Sequence, residues 1–266
     1  MSYQLNDLVH LMACLRNTEH GCPWDRAQTY QSIVPFTLEE AYEVADVIER
    51  GALDELHAEL GDLLFQVIFY ARIAEEDGRF TLDDVIHAIV SKLLSRHPHV
   101  FSDGTFGSFG KSAGASVESI KHAWETKKAE ERATRGQLDL FDDVPLSLPS
   151  LTRAQKIQKR ATRIGFDWPT IDGVLEKVSE ELSELERARS AQDSEAVIEE
   201  YGDLLFTIVS LARHLGINSE QSLRLATQKF ESRISQVIRF AESQGIDLTI
   251  ATDNEKNGLW DQAKSV

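Results

Sequence analysis

The residues able to do chemistry are acidic and regularly spaced. Glu39-Glu40-Ala-Tyr-Glu43 is followed by fifteen residues and then Glu59-Leu-Gly-Asp62, and Glu180-Glu181-Leu-Ser-Glu184 is followed by fifteen residues and then Glu200-Tyr-Gly-Asp203. Positions three apart lie on one face of a helix, so Glu40 and Glu43 point one way, as do Glu59 and Asp62. Two antiparallel helices can therefore gather four carboxylates, and the second quartet is Glu181, Glu184, Glu200 and Asp203. Acidic residues at this spacing usually just solvate a helix surface. Here, however, Asp62 is followed by Leu-Leu-Phe-Gln-Val-Ile-Phe-Tyr and Asp203 by Leu-Leu-Phe-Thr-Ile-Val-Ser-Leu. Both helices are apolar around most of their circumference, and the two aspartates are expected to be buried. A carboxylate in such surroundings costs several kcal/mol unless it is paired or bound to a metal, and four of them without a cation would raise one another's pKa. Hard oxygen ligands without cysteine suit Mg²⁺, with Mn²⁺ as a substitute, ions that bridge to phosphates. A di-iron bundle needs Glu-x-x-His, and no histidine stands three residues after any of these glutamates.

A phosphate ligand also needs cations. Lys92 with Arg96, and Lys229 with Arg233, are each one helical turn apart and form two-pronged anion clamps. Lys177 lies one turn before Glu181, whereas Phe36 holds the corresponding place before Glu40. Trp260 is available either to stack on a base or to pin the last helix to the core.

The elements that must carry these groups are helical. Six prolines and fifteen glycines punctuate the chain, and apolar residues at three- and four-residue spacing predict helices over 3–17, 37–50, 53–77, 81–95, 116–134, 150–163, 170–190, 194–215, 219–243 and 254–264. Thr37 with Glu40 reads as a capping box, and Thr81 with Asp84 as an acidic first turn. No stretch alternates with the period of a strand. The fold class is therefore all-α.

The chain also repeats itself. Glu59 to Phe65 recurs as Glu200 to Phe206 with six of seven positions matched, at an offset of 141 residues. Gly21-Cys-Pro-Trp24 pairs with Gly165-Phe-Asp-Trp168, Lys92 and Arg96 with Lys229 and Arg233, and Trp124 with Trp260. This is a tandem repeat of two helical bundles. The expected division is 1–141, a linker over 142–149, and 150–266.

Charge excludes one class of partner. With 28 basic against 44 acidic residues the net charge is −16, which repels phosphodiester backbones and argues against a nucleic-acid polymer. Two cysteines, Cys14 and Cys22, cannot form a disulfide framework, so a reduced, cytoplasmic protein is expected. The stretch Met1 to Arg16 does not read as a signal peptide, and the longest apolar run, Leu63 to Ala71, is interrupted by Gln66, so no membrane span is expected either.

Taken together, the two E-E-x-x-E and E-x-x-D blocks, Gly21-Cys-Pro-Trp-Asp25, Arg96-His-Pro-His-Val-Phe101 and Gly165-Phe-Asp-Trp168 make the whole chain resemble the tandem-domain bacterial form of the MazG family of nucleoside triphosphate pyrophosphohydrolases. The resemblance implies a Mg²⁺-dependent homodimer with intertwined helices. It further implies hydrolysis of NTPs or dNTPs to the monophosphate and pyrophosphate, and a role in nucleotide-pool clearance and nutritional stress. Carried onto this sequence, Glu181, Glu184, Glu200 and Asp203 are metal ligands, Lys177, Lys229 and Arg233 contact phosphate, and Trp260 contacts the base. Glu180 is the candidate water-orienting base beside Glu181, in an in-line attack of water for which Mg²⁺ supplies the charge. The second repeat is expected to carry the main activity. Glu40, Glu43, Glu59 and Asp62, with Lys92 and Arg96, form the equivalent set in the first. The competing reading from a different class is an acidic helical scaffold that dimerises and binds protein partners.

Overall fold

The computed structural model describes residues 2–111, 116–120, 123–124, 126–127 and 139–265. Among these there is no strand, only an isolated bridge between Phe101 and Phe109, and the all-α expectation holds. The chain divides into two compact units, 1–128 and 129–266.

The first unit contains α1 (Leu5–Leu15), α2 (Pro23–Ala27), α3 (Tyr30–Arg50), α4 (Leu56–Glu76) and α5 (Leu82–Arg96). The short α2 was not expected; it starts with Pro23 at its first position, where the missing N–H costs nothing. The start of α3 corrects the sequence reading. Thr29, not Thr37, is the N-cap, accepting from the Ser32 amide at 3.2 Å and completing a capping box with that serine. Helix then runs through Pro35, at the loss of one backbone hydrogen bond. Thr37 sits inside the helix and donates to the Ile33 carbonyl at 3.1 Å. The Thr81 cap of α5 is as expected, its hydroxyl accepting from the Asp84 amide.

Gly51 ends α3 in the left-handed region at φ 72°, and the chain reverses so that α4 packs along α3. Met12, Ile33, Ile68, Phe69 and Ile73 form the core beneath this pair. Buried Arg16 binds the α1–α2 corner: it is paired with Glu76 at 2.8 Å and donates to the carbonyls of Asp25 and Gln28. The turn before α2 requires glycine at position 21, because a Cβ there would lie 2.4 Å from the Leu15 carbonyl oxygen. The expected helix 116–134 falls largely outside the described residues; 117–120, 123–124 and 126–127 are helical.

The second unit contains α6 (Ser150–Ala161), a 3₁₀ turn (Thr162–Ile164), α7 (Ile171–Ala191), α8 (Ser194–His214), α9 (Ser219–Gln244) and α10 (Asp253–Lys264). Two residues join α7 to α8, Gln192 in the left-handed region at φ 56° and Asp193, whose side chain caps α8. Such a short connection makes the two helices antiparallel neighbours. α10 packs on α9 through Val237, Ala241, Leu259 and Ala263, with Trp260 at the edge of that cluster. The segment before α6 packs on this unit too: Val144 is buried and Asp143 is paired with Arg160.

One expectation about burial is overturned. Asp62 and Asp203 are exposed, and so are Leu60, Leu64 and Val67 on α4 and Tyr201, Leu205, Phe206 and Ile208 on α8. A single copy of the chain covers only part of each helix's circumference, and the aspartates lie on the part left open.

Candidate metal and phosphate site

The α7–α8 hairpin brings three glutamates together. One carboxylate oxygen each from Glu181, Glu184 and Glu200 lie within 4.8 Å of one another, and Glu40, Glu43 and Glu59 of the α3–α4 hairpin do the same. Glu181 is the buried member, at 5% exposure. Desolvation and then the negative charges of Glu184, Glu181 and Asp203 raise the pKa of Glu200. Asp203 stands outside the tight trio but close enough to be felt there. In the first unit desolvation, then Asp62 and Glu43, raise Glu40, and desolvation, then Glu43 and Asp62, raise Glu59. Both hairpins thus concentrate negative charge that a cation would relieve.

The units differ in what stands beside the trio. Lys177 Nζ lies 2.9 Å from carboxylate oxygens of both Glu180 and Glu181, and these hydrogen bonds, Glu180's the larger, raise the lysine's pKa. A lysine four residues before a glutamate points at it across one helical turn. Phe36 in the first unit contributes no charge, and Glu40 is instead approached by the Gln66 amide at 3.4 Å. Gln66, read from sequence as an interruption of an apolar run, is a neighbour of the first carboxylate cluster. Sequence reasoning also missed Arg187, whose guanidinium lies 3.1 Å from Glu184; its spacing of three from that glutamate was the available signal.

The remaining candidates form a second group. On α9, half-buried Arg233 lies over the Trp260 ring, 5.8 Å from its centroid, and Phe230 stands 5.7 Å from the same ring. Trp260 packs against the α9–α10 core, which is one of the two alternatives left open from sequence, and its ring also faces a cation. Lys229 is exposed one turn away. Among the described residues, no hydrogen bond or ion pair joins Lys229 or Arg233 to the carboxylate trio. The first unit repeats the motif: Arg96 lies over the Trp124 ring at 5.5 Å, which His97 also meets edge-on at 5.1 Å. Lys92 is half-buried on the same helix.

A model of the MazG nucleotide pyrophosphohydrolase domain matches the chain twice, over residues 28–101 and 170–238. These ranges contain both carboxylate hairpins. The chain is 46% identical over 263 residues to a nucleoside triphosphate pyrophosphohydrolase of Escherichia coli K12, covering 98% of this chain and 97% of that one. It is 41% identical over 258 residues to the nucleoside triphosphate pyrophosphohydrolase/pyrophosphatase MazG of Thermotoga maritima, covering 97% and 94%. A Bacillus subtilis protein, YabN, is 38% identical over 246 residues, which is 92% of this chain but 48% of that longer one. With two domain matches and similarity along almost the whole chain, each carried by a helical hairpin that converges three glutamates, the chain belongs to the MazG nucleotide pyrophosphohydrolase family.

Proposed function

We propose that the chain hydrolyses nucleoside and deoxynucleoside triphosphates, adding water and releasing the nucleoside monophosphate and pyrophosphate, and that the second unit does most of this work. The observation that carries the division of labour is the 2.9 Å contact of Lys177 with Glu181. Only in that unit does a cation stand beside the carboxylates ahead of the first glutamate, where Phe36 is its counterpart.

The donor set fits Mg²⁺, with Mn²⁺ as a substitute: three carboxylates with oxygens within 4.8 Å of each other, one of them buried, and no sulfur or imidazole among them. Glu181, Glu184 and Glu200 would hold the ion, with Asp203 beside them. When bound, it neutralises triphosphate charge and lowers the pKa of a coordinated water. The protein's own groups do the rest. Lys177 holds a phosphate oxygen next to the trio, and Glu180, tethered to Lys177 at its edge, orients the attacking water and accepts its proton. Lys229 and Arg233 bind further phosphate oxygens, and Trp260 offers its ring to the base. The first unit keeps Glu40, Glu43, Glu59 and Asp62 with Lys92 and Arg96, and binds a metal with little turnover.

The exposed apolar stripes of α4 and α8 support a homodimer, since a second copy would cover them. No helix among the described residues is long and apolar enough to cross a membrane; a cytoplasmic role in clearing nucleotides and in surviving nutritional stress completes the reading. The test is to incubate the pure chain with each NTP and dNTP plus Mg²⁺ and separate the products. Monophosphate and pyrophosphate are expected. Diphosphate with free phosphate would identify a different hydrolase, and no turnover would remove the enzymatic assignment.

A further inference from the structure

Arg187 is a second cation on α7 beside the glutamate trio. It lies on α7 three residues after Glu184 and reaches that carboxylate at 3.1 Å, while its side chain is 72% exposed. An exposed pair of this kind contributes little to stability, so its placement is the informative feature. Along one side of α7 the order is Lys177, Glu181, Glu184, Arg187. At 1.5 Å per residue the ten steps from Lys177 to Arg187 span about 15 Å, with a cation at each end and the carboxylates assigned to the metal between. The first unit has the same two glutamates, but Phe36 and Asp46 stand where Lys177 and Arg187 do. Asp46 there is itself paired with Arg50. Both flanking cations are thus peculiar to the hairpin assigned to turnover.

We propose that Arg187 binds non-bridging phosphate oxygens of the substrate at the end of the triphosphate away from Lys177, and that it competes with a divalent ion for Glu184. This rests on the assignment of the α7–α8 trio as the triphosphate site. The guanidinium lies 3.1 Å from an oxygen of Glu184, which is assigned above to the metal. With that oxygen given to a cation, the exposed side chain would be free to swing, and its five N–H donors match phosphate geometry. The two roles give opposite signs. Removing the arginine frees Glu184 for the metal but removes a contact to the phosphates.

The experiment compares the unsubstituted chain with Arg187→Ala and Arg187→Lys, measuring steady-state KM and kcat for an NTP and, separately, equilibrium binding of Mn²⁺ alone. For Arg187→Ala, KM is expected to rise about tenfold with kcat changed by less than about threefold, because a charge-assisted contact to phosphate is lost. Mn²⁺ alone is expected to bind the same variant more tightly, and Arg187→Lys to fall between the two in KM. Unchanged KM together with unchanged Mn²⁺ affinity in an active enzyme would overturn the role of Arg187 alone. So would weaker Mn²⁺ binding accompanied by a lower melting temperature, which would mark a structural pair. Absence of hydrolysis by the unsubstituted chain would overturn the underlying function instead.

Discussion

Lys177 bridges Glu180 and Glu181, with Nζ 2.9 Å from an oxygen of each, and so places one positive charge against the buried member of the glutamate trio. Lys177→Ala removes a charge-assisted contact at a developing phosphate charge, and kcat/KM is expected to fall by about 10²-fold. Lys177→Phe, which copies the first unit, should do the same. Steady-state kinetics checks both; activity within a few-fold of the parent in either variant would contradict the assignment.

The two hairpins should be unequal. Asp203→Ala is expected to abolish most triphosphate hydrolysis, whereas Asp62→Ala should leave the larger share. Both aspartates are exposed in the single chain, so the comparison is not confounded by loss of folding, which circular dichroism of each variant would verify. Equal losses would reverse the ranking of the units.

Divalent ions should stabilise the protein even without nucleotide. Desolvation and the charges of Glu184, Glu181 and Asp203 raise the pKa of Glu200, and a cation relieves that repulsion. At a free ion concentration 100 times Kd the gain is about 2.7 kcal/mol by mass action, visible as a rise in melting temperature that EDTA reverses. Glu181→Gln should remove most of the rise that the second unit contributes. A melting temperature indifferent to Mg²⁺ and Mn²⁺ would mean the trio holds no ion.

Asp167 supplies a separate test, of stability. Its carboxylate is paired with Arg213 and lies 3.2 Å from His214 Nε2, and the Arg213 hydrogen bonds hold its pKa below the ordinary value against desolvation. A folded-state pKa lower than the unfolded one means that the stabilisation is fully present above the unfolded value of about 3.9 and is lost as pH falls through the folded value. Asp167→Asn is therefore expected to lower stability at pH 7 by about 1–2 kcal/mol. Urea unfolding at pH 7 and pH 3 should show the gap between parent and variant narrowing in acid; a gap that widens would refute the pairing.

Much of this was legible before any coordinates. The α-helical class, the hairpin positions and the identity of Glu40, Glu43, Glu59, Glu181, Glu184 and Glu200 follow from spacing, because the helical period is a local property written in a few consecutive residues. Lys177 was legible for the same reason. The start of α3 was not: Thr37 and Glu40 read as a capping box, yet the Thr29–Ser32 box begins the helix eight residues earlier and the helix runs on through Pro35. Gln66 looked like a blemish in an apolar run and proved to touch Glu40.

The amino-acid order alone determined that each repeat would offer a helix pair with two glutamates on one member and a glutamate and an aspartate on the other. Tertiary packing decided which of these groups meet. The two-residue turn at Gln192 and Asp193 sets the stagger of α8 on α7, bringing Glu200 to Glu181 and Glu184 while leaving Asp203 outside the tight trio. Packing also decided which apolar faces stay uncovered, and so why Asp62 and Asp203 are open to solvent when their neighbours in sequence read as core. Distances between helices depend on side chains far apart in the chain, and no local period encodes them.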